Sequence, residues 1–398
     1  MITVATAENA LKNIYLDTVI GDINTKTNPF LTMIEKNVKT VSGKDAKVSI
    51  RSGSSAVGVG TESGDLPTST NEKQVDVAVP LKNLYGTFQI TDKALKTAAL
   101  DPNAFASLLS GEMQNLVSAA QNNLTTMLYG NGKKLLGIFD STNLNTGRDV
   151  ITINSRYIDN FTTGAAITIY NGAGSKVSGT TTTVTVNVPA RTLTLSTAIA
   201  SHKADRYYIY PATDDGTVMN GIDSVFEIAP YGIDLGVNPD LSPYKFVEGG
   251  TALKVMDEDA VLDFMEKYEE HCQGSAADII LTHPTVKKAI FESLRDTRAN
   301  IASTELAGGF SGFTFNGIPL YSDIKCKGGT LYALNSKSFA MHQLCDWSWL
   351  ANEDGSILKQ QSGKPTYSAT LVKYADLVCS KPFLQGRCAN YAANQWKA

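Results

Sequence analysis

The sequence predicts an α+β chain built from several modules, and three observations lead to this fold class. Residues 103–129 have the spacing of one long amphipathic helix, residues 149–212 contain short threonine-rich strands, and residues 251–321 alternate helices with strands. With 398 residues the chain is long enough for two or three domains and a sizeable core.

The long helix is the element around which the rest is organised. Asp101 and Pro102 are typical of a helix start, and Gly130 is typical of a helix end. If residues 103–129 are all helical, the helix is roughly 40 Å long, which suits a spine. A core helix of an ordinary α+β domain is the alternative. The apolar residues recur at steps of three or four, on one face: Phe105, Leu109, Met113, Leu116, Ala120, Leu124 and Met127.

Two stretches with alternating apolar and polar residues, 46–51 and 75–80, precede the helix and flank a polar, glycine-containing stretch. Loops of this length without their own structure are uncommon in compact domains, so we expect a long β-hairpin. An isolated hairpin costs conformational entropy and buries little surface, which favours one that lies across an adjacent subunit. A mobile surface loop is the alternative.

The threonine-rich stretch contains five strand candidates separated by Gly, Asn and Pro turns: residues 150–153, 166–170, 181–188, 192–196 and 207–210. Such a set can close into a small barrel or sandwich. The abrupt fall in charge favours a separate module over strands of the main sheet.

The clearest α/β pattern follows this module. Asp257 begins a helix that Gly274 ends, a buried strand comes next, and His283 precedes a second helix. The remaining predicted elements are a β-turn-β unit at residues 313–320 and strands at 331–334, 338–342 and 367–379.

The order of these segments resembles the major capsid proteins of tailed bacteriophages, the Hong Kong 97 (HK97)-like family. The residues that carry the resemblance are Leu84-Tyr85-Gly86 and Ile90-Thr91-Asp92 before the helix, the G-V-G-T-E-S-G-D-L-P segment at 58–67, T-H-P-x-V at 282–286 and F-x-G-I-P-L-Y at 315–321. No single motif is diagnostic, and the resemblance covers most of the chain in order.

The resemblance implies an HK97-like fold with an inserted small β-barrel or sandwich domain. The implied parts are an N-terminal arm (1–44), an extended E-loop hairpin (45–80), a P-domain with the spine helix (81–148), the β-rich insertion (149–212), a P-domain return (213–250), an A-domain (251–328) and C-terminal strands completing the P- and A-domains (329–398).

The resemblance also implies a function: self-assembly of pentamers and hexamers into an icosahedral head shell around double-stranded DNA, which is bound non-specifically. A portal protein and a separate scaffolding protein are the implied partners, with a decoration protein as a further candidate. The chain would be located in the virion and assembled in the host bacterial cytoplasm. The candidate subunit-interface residues are Tyr15, Phe30, Arg51, Glu62, Asp65, Lys73, Lys82 and Tyr85.

Composition is consistent with this expectation. The net charge of −4 gives no global signal for nucleic-acid binding, and a neutral or acidic wall would not hold packaged DNA against itself. The five cysteines are odd in number and form no C-x-x-C, which predicts free thiols in a reducing cytosol. The amino terminus lacks a signal-peptide pattern, and no apolar run reaches membrane-spanning length.

The sequence predicts no enzyme, cofactor or metal site. It contains no G-x-S-x-G, its G-x-G-x-x-S at 58–63 lacks the third glycine of a dinucleotide loop, and His271 and Cys272 are adjacent and diverge on a helix. Lys73 and Asn390 are only loose positional candidates for a covalent crosslink, and none is predicted.

Two other functions remain at this stage. An encapsulin-type bacterial compartment would share the fold and enclose enzymes instead of DNA. A hydrolase or sugar-binding protein with a β module belongs to a different class, and the missing catalytic motifs argue against it.

Overall fold

The computed structural model describes residues 28–37, 41–52, 73–93, 115–116, 118–171, 176–177, 182–199, 206–213, 216–247, 254–272, 277–297, 303–306, 310–351, 356–389 and 391. The first 27 residues of the predicted N-terminal arm, the hairpin tip and the first half of the spine helix lie outside these residues.

The described helices are α1 (Pro29–Met33), α2 (residues 115–116 and 118–128), α3 (Ser155–Ile158), α4 (Glu258–His271) and α5 (Pro284–Thr297). The described strands are β1 (Glu35–Asn37), β2 (Val41–Ser42), β3 (Asp45–Ser52), β4 (Lys73–Pro80), β5 (Lys82–Thr91), β6 (Gly137–Asp140), β7 (Val150–Thr152), β8 (Ala166–Asn171), β9 (Thr182–Asn187), β10 (Thr192–Leu195), β11 (Arg206–Pro211), β12 (Tyr244–Val247), β13 (Ile279–Thr282), β14 (Ser303–Leu306), β15 (Phe310–Phe315), β16 (Ile318–Ser322), β17 (Leu331–Leu334), β18 (Phe339–Trp349), β19 (Lys359–Gln360), β20 (Thr366–Cys379) and β21 (Gly386–Ala389).

The central sheet contains five strands in the order β1-β18-β20-β19, with β5 paired along the length of β20. Helix α2 packs on this sheet through Leu116, Leu124 and Leu128, so the second half of the predicted spine is confirmed as a helix with a buried face. Gly86 of β5 lies under the helix, because a Cβ at this position would be 2.8 Å from Leu116 Cδ1.

The mixed sheet contains seven strands in the order β12-β21-β17-β13-β16-β15-β14. Its central strands β13, β17 and β21 are buried on both faces, which is why residues 279–281 of β13 are all apolar. Ile279 and Leu281 face the core shared with the central sheet, whereas Ile280 faces helices α4 and α5. This sheet therefore lies between the central sheet and the two helices.

The sequence signals at the helix ends are largely confirmed. Asp257 accepts a hydrogen bond from the Ala260 N–H at 2.9 Å, and Thr285 donates its N–H to His283 Nδ1 at 3.3 Å at the start of α5. Helix α4 ends at His271, earlier than the Gly274 that the sequence predicts, since Cys272 already takes the capping position.

The threonine-rich sheet contains six strands in the order β6-β11-β8-β9-β10-β7. The five strands predicted from residues 149–212 are all present, and β6, which follows α2 closely, joins them through β11. Buried residues from these strands form a core of their own, including Ile151, Ile169 and Leu193.

The hairpin stem is the three-stranded sheet β2-β3-β4. Strands β3 and β4 are antiparallel and pair without interruption from Asp45↔Pro80 to Ser52↔Lys73, as the alternating pattern predicts. Ile50, Val77 and Val79 attach the stem to the central sheet through Val378.

Candidate subunit-interface surfaces and the buried junction

The hairpin stem presents one apolar and one polar face. Its polar face carries a hydrogen-bonded group on exposed strand residues: Ser49 Oγ donates to Asp76 Oδ1 at 2.5 Å, and Gln74 Nε2 donates to the same oxygen at 3.0 Å. These donors lower the pKa of Asp76, with the Arg51 charge acting in the same direction. The face therefore offers a fixed pattern of charge on an exposed surface.

The second exposed surface is the outer face of β5 and β20. Tyr85 is 57% exposed and packs edge-to-face on Tyr374 with ring centroids 6.4 Å apart, and Thr87 and Thr370 hydroxyls are 3.1 Å apart. Within the described ranges, β5 pairs with β20 alone, so its other edge has no strand neighbour there. Exposed strand edges favour pairing with another chain, which makes this region a candidate interface.

The candidate interface residues do not form one cluster. Arg51 lies exposed on the hairpin stem, Tyr85 lies on the outer face of β5, and the half-buried Lys82 donates from Nζ to the Gly216 carbonyl. Lys73 is the first residue of β4, opposite Ser52. Tyr15, Glu62 and Asp65 lie outside the described residues.

The prediction for Phe30 is wrong. Its side chain is 0% exposed and packs edge-to-face on Phe339 with centroids 5.1 Å apart, so its ring is not available to a neighbouring subunit. Asn28 explains this position, because it caps the short helix that begins at Pro29. Its Oδ1 accepts a hydrogen bond from the Phe30 N–H at 2.7 Å. This part of the predicted arm is thus anchored in the chain's own core.

A buried junction segment, residues 216–227, connects three of the sheets. Gly221 lies against the end of α2 so closely that a Cβ would be 2.3 Å from the Met127 oxygen and 2.5 Å from the Leu128 oxygen. The Asp223 N–H then donates to the Gly130 carbonyl at 3.2 Å. Only glycine fits this approach, so the segment is held against the helix end.

Asp223 connects the junction segment to the mixed sheet. Its carboxylate accepts from Arg387 Nη1 at 2.7 Å, from Tyr332 OH at 3.1 Å and from Lys327 Nζ. The Lys327 ammonium also lies 4.8 Å from the ring centre of Tyr208, a residue of the threonine-rich sheet. This group therefore connects both sheets with the junction segment.

The charges of this group compensate each other. Burial alone would raise the pKa of Asp223, but the Lys327 and Arg387 cations outweigh it and hold the pKa well below its usual range. Burial lowers the pKa of Lys327, and Asp223 outweighs that effect and raises it. A buried ion pair that is hydrogen-bonded on both sides is costly to break, although it adds little over a well-packed apolar group.

Asp376 holds the junction segment on the central sheet through Asn220, three positions before Asp223. It accepts the Asn220 N–H at 2.7 Å, the Asn220 Nδ2 at 2.9 Å and the Leu377 N–H at 2.9 Å. Sequence reasoning missed this residue together with Asp223, Lys327 and Arg387. The available signal was a charged residue inside an apolar strand, as in the G-R-C-A of β21 and the Y-A-D-L-V of β20.

In the described ranges, no group of three or more His, Cys, Asp or Glu side chains has the arrangement of a metal site. The described helices include none that is both long and apolar enough to cross a membrane. All five cysteines are free thiols.

The chain matches no protein-family model and no curated protein. Among solved structures it is similar to a chain of the cyanophage A-1(L) capsid asymmetric unit, with a TM-score of 0.53 and 12% identity over 92% of this chain and 93% of that chain. A chain of the capsid of an empty GTA particle has a TM-score of 0.48 and 11% identity over 92% and 90% of the two chains. A chain of the holo-SrpI encapsulin complex from Synechococcus elongatus PCC 7942 has a TM-score of 0.44 and 11% identity over 94% of this chain and 91% of that chain.

The cyanophage likeness covers nearly all of both chains, so the two share a whole fold and not one common module. The mixed helix and sheet content of the chain fits the same architecture. The chain therefore shares the α+β fold of that cyanophage capsid chain, in agreement with the resemblance of its sequence to HK97-like proteins.

Proposed function

We propose that this chain is the major capsid protein of a tailed bacteriophage and that copies of it assemble into the icosahedral head shell around double-stranded DNA. The observation that carries the proposal is the fold likeness to a chain of an assembled cyanophage capsid, which covers 92% of this chain. Since a fold alone does not determine function, the exposed polar face of the hairpin stem and the outer face of β5 with its exposed Tyr85 add support as surfaces suited to self-assembly.

Assembly needs no chemical step, and we propose no enzymatic role. Each subunit would make several weak contacts: the arm on a neighbour, the hairpin over the next subunit and residues 251–328 around the centre of a pentamer or hexamer. Once one contact has formed, it raises the effective concentration of the surfaces that meet in the other contacts. A closed shell is therefore stable although each contact is modest.

The finer organisation belongs to the same proposal. Residues 45–80 would form the E-loop hairpin, residues 81–148 and 213–250 the P-domain, and residues 149–212 an inserted β module. A portal protein, a scaffolding protein and packaged DNA would be partners, with a decoration protein as a further one, and the shell would assemble in the host cytoplasm. The net charge of −4 suits a wall that does not bind DNA tightly.

Deletion of residues 53–70 tests the proposal. The loss of the hairpin tip should leave a folded, soluble subunit that elutes as a small species in size-exclusion chromatography, whereas the unaltered chain elutes as a particle. A circular dichroism spectrum with the same helix and strand content as the unaltered chain would show that the variant folds. Normal shells formed by the deletion variant would refute the assembly role of the hairpin.

A further inference from the structure

The buried carboxyl of Asp376 fixes the junction segment in an unusual way. The residue is 0% exposed near the C-terminal end of β20, and two of its hydrogen-bond donors, the backbone N–H and the side-chain amide, belong to Asn220. The third donor is the N–H of Leu377 in its own strand. Asp376 therefore joins the central sheet directly to the junction segment through hydrogen bonds.

The charged and titratable groups around Asp376 do not neutralise it. Lys82 of β5 contributes only at a distance, since its Nζ donates to Gly216. The buried His342 of β18 is the residue directly opposite Asp376 in the strand register. The Tyr231 hydroxyl lies nearby and accepts a hydrogen bond from the Cys379 N–H. Within the described residues, Asp376 forms no salt bridge. Asp223, three positions after Asn220 in the junction segment, forms two.

The two anchors therefore respond differently to protons. Burial raises the pKa of Asp376 from 3.8 to about 7, against the opposing effect of the N–H donors and Lys82. The pKa of Asp223 is instead held well below its usual range by its two cations, which outweigh its burial. Of these two carboxyl groups, only that of Asp376 changes its charge near neutral pH.

We propose that Asp376 and Asn220 form a proton-dependent latch that holds the junction segment on the central sheet, while Asp223, three positions further on, anchors the segment to the mixed sheet at every working pH. In the closed latch at low pH, Asp376 takes up one proton from solvent. Its hydroxyl can then donate to the Asn220 side-chain oxygen once that amide has turned over, so the contact persists without a buried charge.

The direction of the effect follows from the pKa shift. Because the pKa of Asp376 is higher when it is buried than when it is exposed, protons stabilise the closed latch. This stabilisation is complete below about pH 4 and is lost as the pH rises to about 7. The junction segment should therefore open more easily under weakly alkaline conditions.

Hydrogen exchange of the full chain followed by mass spectrometry tests the latch. After correction for intrinsic exchange, protection of the peptide that contains Asn220 should fall on the order of 100-fold between about pH 5 and pH 8 if the open segment is fully solvated. Peptides from β17, which borders Asp223 through Tyr332, provide the internal reference and should change much less.

Three variants complete the test. Asp376→Asn removes the titration and keeps the shape, so it should abolish the pH dependence, whereas His342→Gln should keep it. A pH dependence that survives Asp376→Asn, or that disappears only in His342→Gln, would overturn the latch. If Asp376→Asn does not fold, Asn220→Ala serves instead: loss of the side-chain donor should weaken protection most above about pH 7, where Asp376 is ionised, and equal protection to the unaltered chain at that pH would overturn the proposal.

Discussion

Replacement of Asp223 by Asn is the most informative change to the buried junction. The substitution keeps the shape of the side chain and removes the charge that compensates Lys327 and Arg387, whose side chains are only 15% and 6% exposed. Removal of one partner from a buried, hydrogen-bonded charge pair costs about 3–5 kcal/mol. Since Asp223 serves two cations and the Tyr332 hydroxyl, we expect a loss of stability within or above that range.

Urea unfolding of the purified subunit measures the loss, with fluorescence and circular dichroism compared because a chain of several modules need not unfold in one step. The matched control is Asp263→Asn on the exposed face of α4, which should change the stability by less than about 0.5 kcal/mol. The stabilisation by Asp223 should be complete above about pH 4 and should fall progressively as the pH drops below that value, because its pKa is lower in the folded chain than in the unfolded chain. A loss below about 1 kcal/mol for Asp223→Asn would refute the reasoning, since a compensated charge cannot be removed so cheaply from a buried site.

Three further predictions concern packing and exposure. Gly221→Ala should destabilise the chain by more than the roughly 1–3 kcal/mol of ordinary overpacking, because its Cβ would meet backbone oxygens at 2.3–2.6 Å, whereas Gly236→Ala at an exposed turn should be tolerated; thermal melting compares the two. Phe30→Ala should lower the stability of the chain by about 3–5 kcal/mol, whereas Tyr85→Ala should lower it by less than about 1.5 kcal/mol and should instead reduce shell assembly. Equal effects of the two substitutions on thermal melting would contradict the placement of these side chains. A thiol reagent should label Cys345 first in the native protein, since the other four cysteines are buried, and rapid labelling of a second site counted by mass spectrometry would contradict this.

Local patterns account for most of the described fold. The alternation in residues 46–51 and 75–80 predicts β3 and β4, and burial of every second residue is what makes such alternation visible in a sequence. Asp257 and His283 mark helix starts because capping involves residues only a few positions apart. These features depend on near neighbours, and the sequence shows near neighbours directly.

The buried junction could not be predicted in the same way. Asp223 meets Lys327 and Arg387 across 104 and 164 positions of the chain, and no local pattern connects them. The sequence predicts an interface position for Phe30 because it lies in the arm, whereas its burial depends on Phe339, far along the chain. Long-range contacts of this kind become visible only when the sheets are assembled.

Cryo-electron microscopy of the purified, unaltered chain tests the central claim most directly. We predict closed icosahedral shells in which the hairpin stem of each subunit lies against a neighbouring copy. A monodisperse, monomeric protein under the same conditions, with residues 53–72 folded back on their own subunit, would contradict the account.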